Sequence, residues 1–153
     1  MDIMNQISGS YEHKVQYYET DQMGIVHHSN YIRWFEEART DLMDKIGFGY
    51  SKMEQSGILL PVLAASAEYK HPAQYGEIVR IIPRVTEFTG VKLTVSYVVE
   101  NAVSGERKAT GERKATGETR HGFVNQKMSP VRLKRDYPEI YQIFSELLES
   151  GKR

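Results

Sequence analysis

One segment limits the architectures open to this chain. Between Tyr31 and Ile46, the apolar residues Tyr31, Trp34, Phe35, Ala38, Leu42 and Ile46 recur three and four positions apart. That is the spacing of a single helix face. Arg33, Glu36, Glu37 and Thr40 fall largely off it, Asn30 suits an N-cap, and Gly47 suits a left-handed stop. A helix this long must bury its stripe, and the rest of the chain offers mainly strands to bury it against. Residues 11–19 alternate, with His13, Val15 and Tyr17 on one side. Residues 58–70, 77–88, 92–100 and 115–126 also read as strands. The cleanest face is Leu93, Val95, Tyr97 and Val99, and Pro83 predicts a bulge or an edge. Ser51 and Glu54 predict a capping box for a short helix ending near Gly57. A C-terminal helix is expected over about 136–149, with Ile140, Phe144 and Leu147 inward. Short turns between strands favour an antiparallel sheet. The expected class is therefore α+β, a five-stranded antiparallel sheet wrapped around one long helix, with a C-terminal helix. The chain reads as one domain over 1–153, with its core at about 11–133. An open edge strand would be covered by pairing two copies.

Composition narrows the partners. Lys plus Arg equals Asp plus Glu at 20 each, which argues against nucleic acid as a partner. The balance is uneven along the chain: residues 1–60 carry 5 basic and 9 acidic side chains, and residues 105–153 carry 11 and 7. No apolar run is long enough to span a bilayer, and residues 1–5 do not open a secretory signal. The absence of cysteine removes disulfides, thiolate metal sites and a cysteine nucleophile, and fits a cytoplasmic setting. A six-residue unit, Gly-Glu-Arg-Lys-Ala-Thr, occurs at 105–110 and again at 111–116. It falls where two strands should turn, and two short copies do not make a solenoid. Because six is even, the following strand keeps its alternation, with a protruding or disordered hairpin tip.

The usual catalytic patterns are missing. The chain contains no G-x-S-x-G elbow, no P-loop and no H-E-x-x-H. What remains is residues 17–31, where Asp21 stands in a loop just ahead of the long helix. The first turn of a helix presents unpaired N–H donors and the positive end of a dipole. Such an end stabilises an oxyanion developing on a carbonyl, and a neighbouring carboxylate can attack that carbonyl or activate water. An Asp before a helix is as readily a turn former or a cap.

The motif Asp21-x-x-Gly24-Ile25-Val26-x-x-x-x-Tyr31, continuing as Trp34-Phe35-Glu36-Glu37-Ala38-Arg39, resembles the 4-hydroxybenzoyl-CoA thioesterase family of hotdog-fold proteins. Within that family it resembles the small bacterial acyl-CoA thioesterases associated with the Tol-Pal system. Tyr69-Lys70-x-Pro72-Ala73-x-Tyr75-Gly76-Glu77 and Gly117-Glu118-Thr119-x-His121-x-Phe123-Val124 fit later strands of that family. The resemblance implies hydrolysis of an acyl-CoA thioester to free acid and CoA. It implies Asp21 as the acidic catalytic residue, with Tyr17 and His28 beside it and a backbone N–H around His28 as oxyanion donor. It also implies no metal or redox cofactor, and homodimers joined edge to edge that pair into tetramers. CoA phosphates call for basic residues, for which Lys70, Arg84 and Lys92 are the candidates. Two rival functions share the fold: a 3-hydroxyacyl-thioester dehydratase or hydratase, and a non-catalytic acyl-CoA-binding scaffold.

Overall fold

Alternating side chains and tight turns produce one antiparallel sheet. The computed structural model describes residues 10–102 and 111–151. The strands are β1 (Tyr11–Lys14), β2 (Val62–Tyr69), β3 (Ile78–Phe88), β4 (Lys92–Asn101) and β5 (Arg113–Gly122). They lie in the order β1-β3-β4-β5-β2, and every neighbouring pair is antiparallel. The helices are α1 (Ser29–Lys45), α2 (Tyr50–Gln55), α3 (Leu133–Asp136) and α4 (Pro138–Gly151). The first copy of the repeated unit, 105–110, and with it the expected hairpin tip, lies outside the described residues; the second copy runs into β5.

The inner face of the sheet carries Val79, Ile81, Leu93, Val95, Tyr97 and Ala115, all buried, and α1 sets its own buried stripe against them. Phe35 of α1 stacks on Tyr97 with ring centroids 4.4 Å apart and planes 10° apart. It does so over Gly117, which faces Tyr97 across the β4–β5 ladder. A Cβ at Gly117 would run into the Phe35 ring from one side and lie 2.8 Å from the Ser66 carbonyl oxygen on the other. Neither neighbour can yield, because the ring is buried and the carbonyl belongs to β2. Gly117→Ala is therefore expected to lower stability by about 1–3 kcal/mol, the usual range for overpacking. Chemical denaturation with an unchanged slope is the measurement.

The edges differ. β1 covers only Ile78–Ile81 of β3, so Pro83 sits beyond its end, where β3 has one strand neighbour. The missing N–H of proline is harmless there. The bulge falls slightly later, between Val85 and Glu87. At the sheet's far end, Phe144 of α4 packs on Phe88 and Phe123 at centroid distances of 5.4 and 5.3 Å. The opposite edge, β2, has no strand on its outer side among the described residues, and Val62, Leu63 and Tyr69 stand exposed along it.

Three expectations of local structure need correction. The first strand stops at Lys14, and Tyr17–Glu19 form a 3-10 turn instead. Asn30 does not cap α1, which begins at Ser29 with His28 before it. The Asn30 side chain donates to the Glu19 and His27 carbonyls. The short helix α2 starts at Tyr50, behind Gly49, so Ser51 lies inside the helix and the Ser51/Glu54 capping box does not form.

Candidate active site

The loop ahead of α1 is shaped from its first residue. Val15 is fully buried, and its N–H donates to the Glu77 carbonyl at 2.8 Å. The chain then turns because the Glu19 carboxylate draws it inward. That carboxylate accepts the Gln16 N–H at 2.8 Å, the Trp34 indole N–H at 2.8 Å and His13 Nε2 at 2.7 Å. Glu19 is only 4% exposed. Burial alone would raise its pKa, but these donors outweigh it and hold the carboxyl below the usual range. The same turn throws Tyr17 outward. It is 77% exposed and meets Tyr75 edge-on at 5.8 Å, away from the cleft that holds Asp21 and His28.

Asp21 opens a tight turn. Its N–H donates to the Ile25 carbonyl and its own carbonyl accepts the Gly24 N–H. Gly24 takes φ +78°, a left-handed conformation that suits glycine. Asp21 Oδ1 accepts the Met23 N–H at 2.8 Å. Its second carboxylate oxygen has no partner among the described residues. The chain returns through Val26, whose N–H donates to the Ala73 carbonyl, and His27, whose N–H donates to the Glu19 carbonyl.

Asp21, Ile25, Val26 and His28 line one cleft of about 390 Å³ with Tyr31, Tyr69, Lys70, His71 and Pro72. The His28 N–H donates to no acceptor among the described residues, so the start of α1 keeps an open donor beside the cleft. The far wall is aromatic. Tyr69 lies 5.1 Å from Tyr31 and 6.3 Å from the His28 ring. Burial, with Tyr69 and Glu77 adding to it, pushes the Tyr31 hydroxyl up to about 12, so it stays a neutral donor. Of the three basic candidates, only Lys70 borders this cleft, where it also pairs with Glu68 at 3.2 Å. Lys92 lines a separate depression with Arg120 and Thr94. Arg84 lies against Gly151 at the end of α4.

Sequence reasoning missed a second polar feature, buried under α1. Arg39 donates to Tyr50 Oη at 2.7 Å and to Tyr97 Oη at 3.0 Å. Tyr97 joins Thr119 Oγ1 at 2.7 Å, and Thr119 joins His121 Nε2 at 2.8 Å. Arginine can only donate, so Arg39 supplies the protons at one end of a hydrogen-bonded chain that leads through Tyr97 and Thr119 to the His121 imidazole. Burial, followed by the Arg39 charge, pushes the His121 pKa down to about 4, against the pull of the Leu60 and Pro61 carbonyls.

The thioesterase-like superfamily model matches residues 15–143. The chain belongs to the thioesterase-like superfamily. This thioesterase-like chain is 33% identical to YneP of Bacillus subtilis over 135 residues, 88% of its own length and 94% of the relative's. It is 25% identical to the acyl-CoA thioesterase YbgC of Helicobacter pylori over 131 residues, 83% and 95% of the two chains. The crystal structure of a DHNA-CoA thioesterase from Staphylococcus aureus superposes with a TM-score of 0.82 at 32% identity, over 94% and 92%. No helix among the described residues is long and apolar enough to cross a membrane.

Proposed function

We propose that the protein hydrolyses acyl-CoA thioesters, with the chemistry in the Asp21 cleft. The observation that carries this reading is a carboxylate with one oxygen unengaged, in the same cleft as His28, beside an unclaimed N–H at the start of α1. The superfamily membership and the activities named for its relatives support it. The thioester carbonyl lies against the His28 N–H, which stabilises the oxyanion as it forms. Asp21 takes the proton of an attacking water, or attacks the carbonyl itself to give a mixed anhydride that water opens. Along both routes the C–S bond breaks, a proton reaches the sulfur, and free acid and CoA thiol leave. His28 hydrogen-bonds the water or the substrate, Lys70 attracts a CoA phosphate, and the CoA moiety belongs to the substrate. A panel of acyl-CoAs assayed for released thiol tests the reading. Binding across the panel without thiol release would sink it.

The finer placement, among the Tol-Pal-associated enzymes, rests on the Tyr17, Asp21 and His28 spacing. A cytoplasmic setting belongs to the same reading, on the absence of cysteine from the sequence.

Two copies join through β2. Leu63 is 62% exposed on that open edge, and the edge ends at Tyr69 and Lys70 in the cleft wall. Pairing along β2 would close the cleft with the partner chain and satisfy the free strand edge. Two such dimers then form the tetramer. Leu63→Lys is expected to shift the protein to monomer at micromolar concentration and to reduce thiol release with it. Light scattering after size exclusion reads the first effect. An unchanged mass would refute the β2 interface.

A further inference from the structure

We propose that Glu19 is the positioning residue of the catalytic loop, holding the segment that ends at Asp21 by anchoring it to α1 through the Trp34 indole. The inference rests on the hydrolysis proposed above.

Three elements converge on this one carboxylate. His13 comes from β1, the Gln16 N–H from the 3-10 turn, and the Trp34 indole from the middle of α1. His13 in turn sits 3.5 Å from Glu37 of α1 through its other ring nitrogen, and Glu37 accepts from the Tyr11 hydroxyl at 3.3 Å. The backbone of Glu19 holds the far side of the loop. Its carbonyl accepts both the His27 N–H at 2.8 Å and the Asn30 side-chain amide at 2.9 Å. Glu19 therefore fixes the strand of the loop that ends two residues later at Asp21, and the strand that leads into His28. Thr20 and Val26 pair between them as a β-bridge.

The chemistry favours a carboxylate over any neutral side chain. An ionised carboxylate accepts from all its neighbours, and charge-assisted hydrogen bonds are the stronger kind. An amide offers a single acceptor oxygen and turns an NH₂ group toward one of the donors. Glu19 touches neither the cleft nor the reacting atoms, so its loss should misplace Asp21 without removing substrate contacts. Small misplacements of a reacting group lower rates by up to about 10²-fold.

Trp34 is the only tryptophan, so its emission reports the Glu19 bond with no competing signal. In Glu19→Gln, kcat is expected to fall about 10- to 100-fold with KM within about twofold, and the Trp34 emission maximum to shift. Trp34→Phe keeps an aromatic ring in the core, removes the indole N–H and leaves a smaller ring against His13 and Tyr31. It should give a smaller fall in kcat at the same KM. Wild-type kcat in Glu19→Gln, or a loss confined to KM, overturns the proposal. If Glu19→Gln does not fold, wild-type kcat in Trp34→Phe overturns it instead. Asp21→Asn is measured in parallel. Full activity there would refute the hydrolytic role of Asp21, while the emission shift and the Glu19→Gln rate still decide the positioning role.

Discussion

Asp21→Asn is expected to release thiol from the best acyl-CoA substrate about 10²- to 10⁴-fold more slowly than the wild type, the usual range for removing a general base. The substitution is well matched to the site. Asparagine keeps an oxygen to accept the Met23 N–H, so the turn that carries residue 21 has no reason to open. The amide can neither take a proton from water nor attack a carbonyl. The fold should be unaffected, because no hydrogen bond or ion pair to another element ends on this side chain among the described residues. Circular dichroism and the melting temperature serve as controls. A variant that hydrolyses as fast as the wild type would remove Asp21 from the mechanism, whatever its place in the cleft.

Acid should weaken the fold well before its carboxylates titrate. His121 is 1% exposed, and its pKa is pushed from 6.5 down to about 4. In the unfolded chain the imidazole takes up a proton as pH falls through 6.5. In the folded protein it resists until about pH 4. The unfolded state thus binds more protons across this window, and stability falls with pH. The full loss is about 3 kcal/mol by pH 4, from the size of the shift. Glu19 and Glu77 add their own losses at lower pH, because both are held below 4.5 when folded. Urea denaturation from pH 7.5 to 4.5 measures the slope, and His121→Gln should flatten it. An unchanged slope in that variant would show that His121 is not the group responsible.

The parts of this molecule legible in the sequence are those set by period and volume. The stripe on α1 and the alternation in β4 each serve one face, so pattern alone placed them. The first strand ends at Lys14, short of the alternation, because Tyr17 and Tyr18 continue the pattern in composition while Glu19 breaks it in space. A lone Glu between Tyr18 and Thr20 looks like surface. The available clue lay elsewhere: Trp34 sits on an apolar stripe, and a buried indole N–H needs an acceptor. Asp21 and His28 share a cleft, and it is the family resemblance, not helix-start chemistry, that names His28. Tyr17 does not join them within one chain, because the turn that Glu19 creates directs it outward. Charge and strand position single out Lys92 and Arg84, and neither property says which part of the sheet surface borders the Asp21 cleft within one chain.

The polar chain under α1 also answers a problem of ambiguity in the sequence. Arg-Lys-Ala-Thr-Gly-Glu occurs at 107–112 and again at 113–118. Slid by six residues, β5 would present the same six side chains to β2 and β4, on the same faces, with Gly111 where Gly117 now makes room for Phe35. Neither the ladder nor the aromatic stack can tell these two threadings apart. The next residues can. The slid strand would bring Arg113 to the station of Thr119 and Ala115 to that of His121. A second guanidinium would then face Arg39, and the hydrogen bonds beyond Tyr97 would be lost. Thr119 and His121 thus act as a key that admits one threading, a buried polar pair that tells two identical stretches of chain apart.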